Sequence, residues 1–157
     1  MATKSYKKNK DTLNTLSEPA VAYNSSPVFH VFSYKNDFSL IKKAREGVKT
    51  EVFYSLAEAM KLPEKFLASV INLSPRTISN YRDQGKFLEP NYSEHLLKLI
   101  VLFEKGEEYL GNINEFKNWL EKPFWNSSEK PIDFINTSGG VDYLIDYLER
   151  MAQGYPI

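Results

Sequence analysis

Apolar residues recur along most of this chain with a helical beat. Asp37 can cap a first helix carrying Phe38, Ile41 and Ala44, with Gly47 as its stop. A second helix is predicted over about 51–60, with Phe53, Leu56 and Met60 on one stripe. A third opens at Pro63-Glu64, where Pro suits the first position of a helix, and buries Phe66, Leu67, Val70 and Ile71. Asn72-Leu73 makes a tight turn, because Asn tolerates the left-handed conformation. Ser74 then caps a fourth helix, with Pro75 at its first position and Gly85 as its stop. Two short helices around a tight turn have the layout of a helix-turn-helix.

The fifth helix, predicted over 93–105 with Ser93 as cap, reads differently. Leu96, Leu97, Leu99, Ile100, Val101, Leu102 and Phe103 leave it almost no polar face. Such a helix has to be covered all round. A chain of this size is expected to expose part of it, so Leu96, Leu99, Ile100 and Phe103 are expected to meet a second copy. The alternative is a central helix sandwiched by the two halves of one chain. Gly106 is expected to end this helix. A sixth helix starts at Asn112 or Asn114, carries Phe116, Trp119 and Leu120, and ends before Pro123. A short helical turn follows at Pro131. Thr137-Ser138 and Gly139-Gly140 introduce the last helix, with Val141, Leu144, Ile145 and Leu148 at its core positions and Gly154 as its stop. Pro131 and Gly139 are expected to be structural, a helix start and a close backbone approach.

Upstream of Asp37 the periodicity is lost. Residues 1–26 are rich in Lys, Asn, Thr and Ser and read as part of a flexible arm, 1–35. Within it, Val28 to Tyr34 is a short apolar and aromatic run, suited to one strand or to an extended segment laid on the body. The expected class is therefore all-α. The organisation is an arm (1–35), a helix-turn-helix domain (36–90), a central dimerisation helix (91–110) and a small C-terminal helical domain (111–157).

Charge sharpens the division. The chain is neutral overall, yet residues 1–90 carry 14 basic and 9 acidic side chains, net +5, and residues 91–157 carry 6 basic and 11 acidic, net −5. A basic half suits a polyanion, whereas an acidic half suits a protein partner. On the fourth helix and just past it, Arg76, Thr77, Ser79, Asn80, Arg82 and Lys86 are short polar or cationic groups able to reach phosphates and base edges. The absence of Cys removes thiolate metal sites and cysteine nucleophiles. There is no glycine-rich phosphate loop, HExxH or GxSxG, so no enzyme, cofactor or metal is expected. His30 and His95 have no partner at ligand or catalytic spacing. No targeting segment or membrane span is legible, and a cytoplasmic protein is expected.

The ordered motifs carry a resemblance. Trp119-Leu120, Pro123, Pro131-Ile132-Asp133-Phe134-Ile135, Thr137, Gly139-Gly140, Val141, Leu148 and Gly154-Tyr155 resemble the toxin-binding domain of the Xre/MbcA/ParS antitoxins. Upstream, Arg45-Glu46-Gly47-Val48 and Leu73-Ser74-Pro75-Arg76-Thr77-Ile78-Ser79 are similar to strings that flank and build that family's helix-turn-helix. The likeness runs from about Asp37 to Tyr155. Where the family carries two basic residues after the second string, this chain has Asn80-Tyr81, followed by Arg82.

The resemblance implies a homodimeric type II antitoxin. Its partner would be a RES-domain toxin that consumes NAD, and it would also repress its own operon by binding operator DNA. Toxin contacts are then expected at Trp125, Tyr147, Arg150 and the tail Tyr155-Pro156-Ile157, with Ile157 entering the toxin pocket. Trp119 is expected to be core. The competing expectation is a stand-alone helix-turn-helix regulator, which leaves the acidic module with no role beyond dimerisation.

Overall fold

The computed structural model describes residues 37–155, so the expectations for the arm, for the run 28–34 and for Pro156 and Ile157 lie outside the described residues. Seven α-helices and no strands occur among the described residues. They are α1 (Asp37–Glu46), α2 (Thr50–Ala59), α3 (Glu64–Val70), α4 (Pro75–Asp83), α5 (Pro90–Leu110), α6 (Ile113–Glu121) and α7 (Ser138–Ala152), with a 3-10 turn at Pro131–Asp133 before α7. The all-α expectation, including a helix-turn-helix, holds.

Local chemistry sets most helix ends. Gly47 (φ 86°) closes α1, and Asn72 (φ 59°) makes the left-handed turn between α3 and α4. The Ser74 hydroxyl accepts from the Thr77 N–H and caps α4, with Pro75 in the first turn. Asn112 caps α6 through the Glu115 N–H, and Thr137 caps α7 through the Gly140 N–H. The backbone approach expected at Gly139 belongs to Gly140. A Cβ there would lie 2.0 Å from the Phe134 carbonyl oxygen, whereas Gly139 faces open space.

Helices α2, α3 and α4 pack on one another, while α5 is the axis of the rest, meeting α1, α6 and α7. At 21 residues α5 is longer than its pattern suggested, and both of its boundary signals have other uses. Ser93 is no cap. It lies buried in the first turns of α5, accepts from the Val48 N–H and donates to the Leu88 carbonyl, each at 3.0 Å. It thereby ties α5 to the segments that leave α1 and α4, which are themselves joined by a Lys49–Phe87 bridge. Gly106 does not end α5. It lies inside the helix and is bare because the Phe116 ring rests on it.

The contacts expected for a dimer need a correction here. Leu96, Leu99, Ile100 and Phe103 are each no more than 1% exposed within the single chain. Helices α1, α6 and α7 pack around α5 and cover these four side chains. These four side chains are core residues and offer no surface for another subunit.

His95 has a structural partner that its spacing does not reveal. Its ring Nε2–H donates to the Ile135 carbonyl at 2.8 Å, which pins the turn before α7 to α5. Burial holds its pKa below the usual histidine value, against the pull of that hydrogen bond. A histidine whose pKa is depressed by folding takes up protons on unfolding. Its contribution to stability is therefore complete above about pH 6.5 and is lost as the pH falls below that value. Glu104 runs the other way: burial raises its carboxyl to about 7, so its contribution is complete at low pH and is lost as the pH rises toward 7. Denaturant titrations of the wild type and His95→Gln between pH 7.5 and 5 should isolate the histidine, since Glu104 is common to both. The wild type should lose stability more steeply on acidification; parallel profiles would refute the role.

Candidate functional site

Two surfaces hold the residues that the sequence singled out. The first is α4. Ile78 is fully buried and fixes the rotation of the helix about its axis. With about 100° between successive residues, Arg76, Ser79, Asn80 and Asp83 then share the outward side. Arg76 and Asn80 are exposed and Ser79 is half-buried. Thr77 is engaged at the cap, its hydroxyl 2.8 Å from that of Ser74. Lys86 lies exposed beyond the helix.

Arg82 sits on the flank of α4, not at its crest. Its guanidinium lies 5.1 Å from the centre of the Tyr54 ring on α2, and it also donates to Ser79 Oγ at 3.2 Å and Asp83 Oδ1 at 3.4 Å. It helps to hold α4 on α2 as well as adding positive charge. The outward face thus has one arginine, two neutral hydrogen-bonding side chains and one carboxylate. The role of Tyr54 is not legible in the sequence, because a cation–π partner on another helix leaves no spacing signal.

The second surface lies on the acidic half. Helix α7 has three sides. Val141, Leu144 and Leu148 enter the core. Asp142, Ile145, Asp146 and Glu149 face α1 across an open groove. Tyr143 and Tyr147 belong to a cluster of rings. Phe124 meets Phe134, Tyr143 and Tyr147 with centroids 5.7, 6.3 and 5.0 Å apart. Trp119 links the cluster inward, stacked on Phe116 at 5.8 Å and 6.0 Å from Tyr147.

Trp125, the next residue after Phe124, is 83% exposed. Tyr143 is 44% exposed and Tyr155 is 59% exposed. Tyr147, by contrast, is largely buried, and burial raises the pKa of its phenol. It supports the aromatic surface from below. Arg150 is partly exposed, pairs with Asp146 at 3.0 Å and has its Nε buried without a hydrogen bond. The i, i+4 relation of Tyr143 to Tyr147 is the one signal of this surface on α7 that the sequence carries.

Ion pairs join α5 to α7. Lys98 on α5 lies 2.9 Å from Glu94 and 2.7 Å from Asp142 of α7. Burial works against its charge, but the hydrogen bonds it donates to Asp142 and Glu94 outweigh that and hold its pKa above the usual lysine value. The Glu94 carboxyl is held low, first by its bond to Lys98. Ser138 at the start of α7 also donates to Glu94, at 3.1 Å. Lys105 pairs with Glu149 at 2.5 Å.

The family comparison bears on the first surface. Residues 39–101 match the antitoxin Xre-like helix-turn-helix domain. The Xre-like match begins in α1, contains the α3–α4 pair and continues into the middle of α5, past the boundary expected at residue 90. No curated protein matches the chain. A chain with an Xre-like antitoxin domain fits an antitoxin or a helix-turn-helix regulator. Among the described residues, no group of His, Cys, Asp or Glu could hold a metal ion, and no helix is long and apolar enough to cross a membrane.

Proposed function

We propose that this protein is the antitoxin of a type II toxin–antitoxin pair, acting in the cytoplasm. In this reading it neutralises a RES-domain toxin that consumes NAD by covering the toxin's active site. It also represses its own operon as a homodimer bound to DNA through α4. The observation that carries the reading is the Xre-like antitoxin match at residues 39–101, continuous through α5 with an acidic module that exposes aromatic side chains.

Neutralisation of this kind asks for no turnover by the antitoxin. It asks for a rigid, complementary surface over a pocket. A site that binds a dinucleotide pyrophosphate offers positive charge, which a net acidic module complements. Trp125, Tyr143 and Tyr155 supply large rings on that module, the side-chain type that dominates binding energy at interfaces. The tail Pro156-Ile157 extends from Tyr155 and is proposed as the segment that enters the toxin pocket.

The test is co-expression with a RES-type toxin, taken from the neighbouring reading frame if one of that type lies there, followed by a pull-down of the pair and an assay of cellular NAD. Restored growth, preserved NAD and a stable complex are expected. Unrelieved toxicity with no complex would discard the antitoxin reading and leave a stand-alone regulator.

For DNA, Arg76→Ala should weaken binding to the sequence upstream of the gene about tenfold. It should also lower the slope of log K against log salt by about one, the signature of one lost phosphate contact. Asn80→Ala should weaken specific binding with little change in that slope, as for a base contact. Equal retention of binding by both variants would exclude α4 as the reading helix.

A further inference from the structure

Helices α1, α5 and α7 enclose an open groove of about 550 Å³, with Ile41 on one bank and Ile145 on the other. Ile41 is 48% exposed, and Phe38 on the same helix is 77% exposed. Large apolar side chains grouped in this way on a small chain mark a contact surface. We propose that the occupant is a second copy of this chain, with α1 of each protomer laid along α7 of the other about a two-fold axis. The inference rests on the homodimer of the proposed function and gives that dimer a surface, which the four buried side chains of α5 do not.

The two helices carry matching stripes. Phe38, Ile41, Lys42 and Arg45 follow the spacing i, i+3, i+4, i+7, and so do Asp142, Ile145, Asp146 and Glu149. At about 100° per residue, each set falls within about 100° of arc on one side of its helix. Leu40 and Ala44 turn the other side of α1 into the core, so its stripe faces outward. The stripe of α7 faces the groove. One stripe is apolar and basic, the other apolar and acidic. A two-fold contact requires each surface to meet its complement on an identical chain. Here both complements lie on one molecule, on the two banks of one groove, so a single half-turn satisfies both at once.

Charge selects this occupant. On α1, Lys42 and Arg45 are exposed, while Glu46, which lies off the stripe, pairs with Lys43 at 3.5 Å. On α7, Lys98 and Lys105 of the same chain engage Asp142 and Glu149. That leaves Asp146 as the exposed carboxylate in the middle of the stripe. Its pair with Arg150 is an i, i+4 contact at the surface, a kind that contributes little. A nucleic acid or an acidic segment would be repelled here, whereas the α1 stripe brings two positive charges and a large ring. The contact uses neither the outward side of α4 nor the Tyr143 side of α7, so both remain open to other partners.

Sedimentation equilibrium of the full-length protein, with no toxin or DNA present, tests the contact. The wild type should be dimeric. Lys42→Glu/Arg45→Glu and Asp146→Lys should each weaken self-association about tenfold or more, because like charges then oppose one another in both contacts of the dimer. Phe38→Ser, at a site too exposed to disturb the core, should weaken it as well. Mixed in equal amounts, the two charge variants should associate at least about fivefold more tightly than either alone, since one contact is then native and the other again sets opposite charges together. A dimer that none of these variants weakens, or charge variants that gain nothing on mixing, would overturn the contact and place the dimer on another face. A wild type that stays monomeric at about 100 μM would overturn the homodimer itself along with the contact.

Discussion

Gly106→Ala should destabilise the protein by about 1–3 kcal/mol, although alanine in a helix interior normally gains about 1 kcal/mol over glycine. The added Cβ would lie 2.1 Å from Cδ2 of Phe116 and 2.4 Å from Cε2, well inside contact distance. Phe116 cannot simply swing away. It is fully buried, meets Phe103 edge-on at 5.2 Å and stacks on Trp119 at 5.8 Å. The cost should therefore fall on the α5–α6 contact and be felt through the ring cluster that supports α7. Urea unfolding of Gly106→Ala beside Glu108→Ala, an exposed site on the same turn, measures it; the control should stay within about 0.5 kcal/mol of wild type. Adding Phe116→Leu, which shortens the offending ring, should recover part of the loss in Gly106→Ala. An unchanged or raised midpoint for Gly106→Ala would mean that α6 does not pack on α5 as described.

Trp125→Ala should leave folding stability within about 0.5 kcal/mol of wild type, because the ring is 83% exposed. Under the antitoxin proposal it should weaken capture of the toxin by about 30-fold or more, the factor that matches a hot-spot loss of about 2 kcal/mol. Tyr147→Ala makes the contrast. Its ring is buried against Phe124 and Trp119, so its removal should lower stability and disturb binding only through the fold. Titration calorimetry with the purified toxin, together with thermal melts of each variant, separates the two effects. A Trp125→Ala protein that binds as well as wild type would remove this loop from the interface and shift attention to Tyr143 and the tail.

The helix-turn-helix was the most legible part of the chain. Its boundaries rest on short-range chemistry, namely a left-handed Asn72, a Ser74 cap and a Pro in the first turn, and such signals act over a few residues. The same logic misplaced both ends of α5. Ser93 and Gly106 carry the side chains of a cap and a stop, but each serves a contact across the fold, with Val48 and Leu88 in one case and Phe116 in the other. Sequence spacing cannot tell a glycine that ends a helix from one that admits a ring.

The expectation that α5 supplies a dimer face failed for a related reason. An all-apolar helix has to be covered, but the pattern does not say by whom, and here α1, α6 and α7 of the same chain cover Leu96, Leu99, Ile100 and Phe103. On the candidate surfaces, the outward residues of α4 and the exposed Trp125 could be read in advance. The flank position of Arg82 over Tyr54, the burial of Tyr147 and the pairing of His95 with Ile135 depend on neighbours distant in sequence.

The reach of α5 has a consequence for how this protein can be divided. One helix both completes the Xre-like match and forms the axis on which the acidic half is assembled. Cutting ahead of Pro90 would deprive that axis of α1 and leave Ser93 without Val48 and Leu88. Recombination that grafted the acidic half onto another reader would have to break inside a continuous rod. The two halves are therefore expected to be inherited as a unit, and a fragment holding either one alone should be short-lived in the cell.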